Sequence, residues 1–161
     1  MRKFFPLAFI IPAVFFLDRI SKNFIVNAYP EGGGFPVWRG VFHITRVNNT
    51  GAAFGILRGA GGPLVWIAVV SVILLSCGLF LNVLRGPGGP VWRPGLQETA
   101  WALVIAGAAG NLYDRLWFGY VIDFLDFRVW PVFNLADSSI CVGAILVLVV
   151  FWRSRPSHGE N

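Results

Sequence analysis

Four long apolar stretches constrain the fold of this chain more than any other feature. They cover residues 4–17, 63–84, 99–112 and 135–152. A helix needs about 20 residues, at about 1.5 Å each, to cross roughly 30 Å of hydrocarbon. The second and fourth stretches are nearly long enough alone, whereas the first and third reach this length only by including polar residues at their ends. A mean hydropathy of +0.67 agrees with a membrane protein.

These stretches predict an all-α membrane protein that forms a single integral membrane domain over residues 1–161. Its four transmembrane helices are expected at about 4–26, 63–84, 97–115 and 135–153. The first outer segment, at about 27–62, alternates apolar and polar residues in VWRGVFHITRV, which predicts a small extracytoplasmic β-rich segment between helices 1 and 2. The second outer segment, at about 116–134, is apolar for a loop, so we expect it to lie partly in the membrane interface.

Basic residues cluster in the three segments that four helices would place on one side of the membrane. These residues are Arg2, Lys3, Arg85, Arg93, Arg153 and Arg155. The positive-inside rule makes that side cytoplasmic, so both termini are predicted to be cytoplasmic. This distribution accounts for the net charge of +5 without a nucleic acid partner. The N-terminal stretch also resembles a secretory signal, but Asp18 and Lys22 would then lie between its apolar core and the cut.

Polar residues that are costly near hydrocarbon gather near the predicted outer leaflet. They are Asp18, Lys22, Asn49, Asn111, Asp114, Arg115, Asp123, Asp126, Asn134 and Asp137. A charge deep in a span costs about 2.5 to 3.5 kcal/mol, so such a cluster predicts a functional site. Asp18 and Lys22 are placed to pair on one helix face, and Gly51 allows a tight turn. We therefore assign structural support to Asp18, Lys22, Asp114 and Gly51.

Carboxylates are the main chemical groups that the chain offers for catalysis. Both cysteines stand alone in apolar runs, and outside the polar C-terminal tail the sequence has no serine beside a histidine, no metal-ligand motif and no phosphate-binding loop. We therefore predict no cofactor and no metal. Two carboxylates that face each other across a water can act as acid and base. The residues alone leave open which two of Asp114, Asp123, Asp126 and Asp137 would pair, and Asp137 could instead cap helix 4.

Five sequence blocks follow one another along the chain: LDRISK, NNTGAAFG, AGAAGNLYDR, GYVIDF and FNLADSSI. Together they resemble the bacterial lipoprotein signal peptidases (signal peptidase II), a family of membrane aspartic peptidases. The resemblance covers nearly the whole chain. It implies that Asp123 and Asp137 are the catalytic pair. It also implies a substrate site lined by Asn49, Asn111, Arg115 and Asn134.

The resemblance further implies a reaction and a location. The expected reaction is removal of the signal peptide from a diacylglyceryl-modified prolipoprotein, with the cut before the lipidated cysteine. The expected partners are this substrate and the phospholipid bilayer, and the chain is expected to be a monomer in the bacterial cytoplasmic (inner) membrane with its active site near the outer leaflet. Two alternatives are a small proton-coupled membrane transporter and a membrane scaffold without catalysis. Conduction favours polar residues across the whole bilayer, whereas these stop at one leaflet.

Overall fold

The computed structural model describes residues 5–51, 70, 78 and 95–153 of the chain. The predicted second helix at 63–84 therefore lies outside the described residues, except for Val70 and Gly78, which are both helical. Most of the basic residues on which the predicted orientation depends also lie outside them. The fold is accordingly built from two described parts of the chain, one on each side of this gap.

Three described helices coincide with predicted ones. They are α1 at Phe5–Ala28, α2 at Leu96–Phe118 and α3 at Leu135–Arg153, which correspond to the predicted first, third and fourth helices. The helix α2 continues past its predicted end at Arg115 and stops at Gly119, whose left-handed φ of 79° turns the chain towards the next strand. Judged by length and apolar content, no helix in the described part of the chain qualifies as a membrane span.

Small residues let α2 and α3 pack closely against each other. Ala102 and Ala106 on α2 are fully buried. A Cβ added to Gly107 would lie only 2.3 Å from the carbonyl oxygen of Ala136 on α3, so this position has room for glycine alone. These small residues therefore form a helix-packing face. It brings the first turn of α3 against α2, close to Asn111.

A three-stranded antiparallel sheet, in the order β1-β2-β3, completes the described fold. Its strands are β1 at Gly34–Trp38, β2 at Phe42–Asn49 and β3 at Val121–Asp126. The first two strands lie in the segment that was predicted to be β-rich. The third lies in the second outer segment, for which no strand was predicted. All but one residue of β3 is buried, and a strand buried on both faces reads as a continuous apolar run rather than an alternating one.

Two buried carboxylates fix the sheet and α3 relative to the other helices. On β3, the Ile122 N–H donates to Asp114 Oδ2 on α2 over 3.2 Å. At the start of α3, the Ala136 N–H donates to Asp18 Oδ1 on α1 over 3.1 Å. Each carboxylate thus satisfies a backbone donor that would otherwise be buried without a partner. Residues of α1, α2, α3 and β3 therefore meet around these two carboxylates.

Candidate active site

The start of α3 is capped by two side chains that also belong to a polar cluster. Asn134 precedes the first residue of α3, and its Oδ1 accepts a hydrogen bond from the Asp137 N–H over 2.9 Å. In return, Asp137 Oδ2 accepts the Asn134 N–H over 3.2 Å. This reciprocal arrangement is a capping box. The sequence FNLAD therefore orients both side chains through local helix structure.

Asp123 projects from β3 into the same cluster. Its carboxylate accepts hydrogen bonds from Asn49 Nδ2 over 2.8 Å and from Asn134 Nδ2 over 2.7 Å. Gly51 orients the first of these asparagines, because the Gly51 N–H donates to Asn49 Oδ1 over 3.0 Å. The amide nitrogen of Asn49 is thereby left facing Asp123. Two separate chain segments thus hold one carboxylate.

The surroundings of Asp123 favour its protonated form. The residue is almost completely buried, with 2% exposure. This burial, together with the negative charge of Asp137, raises the pKa of Asp123 to about 7, although its hydrogen bonds and the charge of Lys22 oppose the shift. An ordinary aspartate has lost its proton at neutral pH, whereas a carboxyl group with this pKa still carries one in part of the population.

Asn111 on α2 connects the two aspartates. Its Nδ2 donates to Asp137 Oδ1 over 2.7 Å. Its Oδ1 accepts hydrogen bonds from Asn134 Nδ2 over 3.1 Å and from Lys22 Nζ over 3.0 Å. Because Asn134 also donates to Asp123, a continuous chain of hydrogen bonds runs from Asp137 through the two asparagines to Asp123. The separation and orientation of the two carboxylates are therefore constrained by shared partners.

Four charged residues form an ion cluster next to Asn111: Asp18, Arg19, Lys22 and Asp114. Lys22 Nζ lies 2.9 Å from Asp18 Oδ2 and 2.7 Å from Asp114 Oδ2. Arg19 contacts the same two carboxylates at 3.0 and 2.5 Å. The pair of Asp18 and Lys22 expected from the sequence is present, and two further charges complete it. The cluster carries two positive and two negative charges, as buried ions require.

A cavity of about 1000 Å³ opens beside both aspartates. Its polar wall includes Asn49, Asn111, Arg115, Asp123 and Asp137. Arg115 makes one long hydrogen bond, from its Nη1 to Asn111 O over 3.5 Å, and no carboxylate in the described residues lies within ion-pair distance of it. Its guanidinium can therefore donate to a ligand in the cavity. The other predicted polar residue, Asn134, is fully buried and does not reach the cavity wall.

The structure separates the four aspartates that the residue types alone could not distinguish. Asp123 and Asp137 line the cavity. Asp114 belongs to the ion cluster and is fully buried there. Asp126 lies at the far end of β3, where it pairs with Arg128 at 3.5 Å. Only the first two aspartates therefore share a space that a substrate could enter.

Arg19 is the member of this network that sequence reasoning missed. Besides its two ion pairs, its guanidinium lies 4.7 Å from the centre of the Tyr113 ring. The signal was present in LDRISK, where Arg19 lies between the two members of the expected pair. Reasoning from side chains four residues apart on a helix selects only Asp18 and Lys22, so it passes over a residue that bridges to another helix.

This arrangement supports acid and base chemistry on a water molecule. Two carboxylates share one cavity and are joined through asparagines, and the pKa of Asp123 lies near neutral pH. Such a pair can hold one proton between its members, take a proton from water and give one to a carbonyl oxygen. Within the described residues, no group of three or more His, Cys, Asp or Glu side chains is arranged to hold a metal ion.

Comparison with known proteins decides the family. A family model described as signal peptidase (SPase) II matches residues 10–153. The chain belongs to the signal peptidase II family. The lipoprotein signal peptidase of Halothermothrix orenii is 41% identical over 146 residues, which are 91% of this chain and 94% of that protein. That of Moorella thermoacetica is 41% identical over 157 residues, which are 97% of each chain.

Solved structures share the fold of this member of the family. Two of them, both described as bacterial membrane enzymes, match with TM-scores of 0.82 and 0.78 at 29% identity. Each covers 96% of this chain, and the matches cover 92% and 99% of the solved chains. The family expected from the sequence blocks is thus confirmed, and the protein is a protease. The transporter alternative finds no support in these comparisons.

Proposed function

We propose that this member of the signal peptidase II family removes the signal peptide from diacylglyceryl-modified prolipoproteins, with Asp123 and Asp137 as its catalytic pair. The observation that carries the assignment of the pair is that these two aspartates line one cavity and are joined through Asn111 and Asn134. The relatives named lipoprotein signal peptidase support the substrate class. The cut would fall immediately before the lipidated cysteine.

In this proposal the two carboxyl groups take different roles. Asp137 lies at the N-terminus of α3, where the helix dipole favours an anion, so it acts as the base that takes a proton from water. The water oxygen then attacks the scissile carbonyl carbon. Asp123, whose pKa is about 7, gives its proton to the carbonyl oxygen.

The resulting tetrahedral intermediate collapses with cleavage of the carbon–nitrogen bond. The leaving amine of the lipidated cysteine receives the proton that Asp137 took from water. The second hydroxyl of the intermediate returns its proton to Asp123 as the new carboxyl group forms. Water is thus the only reagent consumed, and both aspartates recover their starting states.

Asparagines and one arginine position the substrate in this proposal. Asn49 and Asn111 each donate to one catalytic carboxylate and also line the cavity. Arg115 lies on the same wall with a guanidinium that can donate to a substrate carbonyl oxygen. Structural support comes from Asp18, Lys22, Asp114 and Gly51, since each binds a group that orients a site residue or fixes the site's elements.

The membrane placement is part of the proposal. The chain would be a monomer in the bacterial cytoplasmic membrane, crossing it four times, with both termini cytoplasmic and the site near the outer leaflet. Its similarity to bacterial membrane enzymes supports a membrane setting. Large apolar side chains on the helix surfaces, such as Ile20 at 65% exposure and Leu148 at 67%, also suit contact with lipid.

Cleavage of two matched precursors would test the substrate and the position of the cut. The purified protein in lipid is incubated with a synthetic precursor in which the cysteine after the expected cut carries diacylglycerol. A parallel reaction uses the same precursor with an unmodified cysteine. Mass spectrometry of the products should locate one cut, before the lipidated cysteine, with much slower cutting of the unmodified peptide. Equal cutting of both precursors, or a cut elsewhere, would refute the proposed specificity.

A further inference from the structure

Beyond Arg46, no described strand covers one edge of β2. At Arg46 the edge is still paired, because its N–H donates to Gly33 O over 2.9 Å and its C=O accepts the Gly32 N–H over 2.8 Å. The chain leading into β1 then turns away, with the Gly33 N–H donating to Pro30 O over 2.9 Å. Within the described residues, the backbone groups of β2 past Arg46 therefore lack a strand partner on this side.

Asn48 presents its backbone N–H and C=O to this edge. Its two neighbours in β2 pair with β3, and successive residues of a strand direct their backbone groups to opposite sides. Ile122, which lies opposite Asn48 in the register, directs its own N–H and C=O away from β2, because they bond to Asp114 and Asn134. Asn48 therefore directs its backbone groups to the same edge of β2 as Arg46 does. Beyond Arg46, the described part of the chain offers no backbone partner at this edge.

The edge at Asn48 opens into the cavity that holds the proposed catalytic pair. Asn48 lies on the cavity wall together with Asp123 and Asp137. Glu31, on the same wall, accepts a hydrogen bond from Asn48 Nδ2 over 3.0 Å. This bond ties the amide nitrogen of Asn48 to the turn before β1 and leaves its backbone groups available to a ligand.

The substrate needs a partner of this kind. A signal helix must unwind next to the cut, because an intact helix keeps its carbonyl oxygens in its own hydrogen bonds. The unwound segment then carries free N–H and C=O groups close to hydrocarbon, where each unsatisfied group is costly. Pairing with an open strand edge satisfies such groups and holds the segment extended, whatever its side chains are.

We propose that the substrate segment next to the cut binds as an added strand at the β2 edge, where one of its residues exchanges backbone hydrogen bonds with Asn48. This inference rests on the proposed function, since it assumes a peptide substrate in the cavity. It identifies Asn48 as a positioning residue that acts through its backbone, so the identity of its side chain is secondary.

Two variants separate the backbone of Asn48 from its side chain. Asn48→Pro removes the backbone N–H, and its position at a strand edge without a described partner is one that tolerates proline. Asn48→Ala removes the same side-chain amide but keeps the N–H, so it is the matched control. Asn48→Pro should lower kcat/KM roughly tenfold relative to Asn48→Ala, the effect of about one lost hydrogen bond. Equal kcat/KM for the two folded variants would overturn the proposal.

Substrate esters provide an independent measurement. A series of lipidated precursors is prepared in which one amide N–H at a time, other than that of the scissile bond, is replaced by an ester oxygen. One position, the residue whose N–H donates to the Asn48 C=O, should lower kcat/KM roughly tenfold in the wild type. A series in which no position differs from its neighbours would overturn the proposal, even where Asn48→Pro fails to fold.

The outcome for strand pairing is distinguishable from that for the proposed function. If the wild type does not cut the unmodified-backbone precursor before the lipidated cysteine, the proposed function fails. If the wild type cuts this precursor normally while the esters and Asn48→Pro have no effect, only the strand pairing fails.

Discussion

Asn134 and Asp137 cap each other at the first turn of α3, each accepting the other's backbone N–H, at 2.9 and 3.2 Å. The same asparagine donates to Asp123, and the same aspartate lines the cavity. The residues that start the helix are thus also the residues that build the site. A helix cap is fixed by short-range contacts, so the position of Asp137 does not depend on a flexible loop.

Substitution of Asn134 should separate capping from site organisation. Asn134→Ser keeps an oxygen that can accept the Asp137 N–H but loses the amide that reaches Asp123. Asn134→Ala loses both. We expect Asn134→Ala to be less stable than Asn134→Ser by about 1 kcal/mol in thermal unfolding, while both lose most activity in a peptide-cleavage assay. Wild-type cleavage by folded Asn134→Ser would contradict the role given to the amide.

The raised pKa of Asp123 makes a prediction about stability and pH. Its pKa of about 7 in the folded state exceeds the ordinary value of 3.8. The contribution of Asp123 to the free energy of unfolding is therefore greatest below pH 3.8. This contribution falls by on the order of 4 kcal/mol as pH rises towards 7. Asp123→Asn should thus raise the melting temperature at pH 8, with a difference from wild type that shrinks steadily towards pH 4.

Asp126 provides a control of opposite sign. Burial acts to raise the pKa of Asp126, but hydrogen bonds from the Arg128 N–H and the Thr45 hydroxyl, with the Arg128 charge, outweigh it and lower the pKa. Relative to wild type, Asp126→Asn should therefore lose stability as pH rises towards the ordinary aspartate value, and it should stay less stable by a constant amount above that value. The same pH trend in both variants would mean that the surroundings of Asp123 have been misjudged.

Much of the fold and of the site could be predicted from the sequence. The lengths of the apolar stretches predicted the three described helices, because the helix bounds follow the polar residues at their ends. The order of the sequence blocks identified the family. The predicted site residues Asn49, Asn111, Asp123 and Asp137 are joined in one hydrogen-bonded cluster in the structure.

The features of the fold and site that the sequence did not predict depend on contacts between distant parts of the chain. Asn49 donates to Asp123 from 74 positions away, and only the register of β2 against β3 brings them together. The strand β3 itself was missed because burial on both faces removes the alternation that reveals a strand. Arg19 was missed because its partner Asp114 lies on another helix.

The ion cluster predicts a large stability effect at Lys22. This side chain is 1% exposed and lies between two carboxylates, so Lys22→Met would leave Asp18 and Asp114 with one positive partner in place of two. We expect a loss of about 3 to 5 kcal/mol in thermal unfolding in a fixed detergent. The pair of Arg128 and Asp126, in which the Arg128 side chain is half exposed, is the control, because Arg128→Met should cost less than about 1 kcal/mol.

A compensating variant distinguishes a charge effect from a packing effect at Lys22. If the loss arises from unpaired buried carboxylates, the double variant Lys22→Met with Asp18→Asn should recover part of it, because one uncompensated charge is removed. A double variant that is less stable than Lys22→Met alone would point to lost packing and hydrogen bonds instead.

Peptide cleavage by isosteric variants of the two cavity aspartates tests the central claim most directly. Asp123→Asn and Asp137→Asn keep the shape of each side chain but remove its ability to exchange protons, whereas Asp126→Asn makes the same change outside the cavity. With a diacylglyceryl-modified precursor, we expect each cavity variant to lose roughly 10²- to 10⁴-fold in kcat while remaining folded, and Asp126→Asn to cut at about the wild-type rate. Wild-type rates for either Asp123→Asn or Asp137→Asn would contradict the assignment of this pair as the catalytic groups.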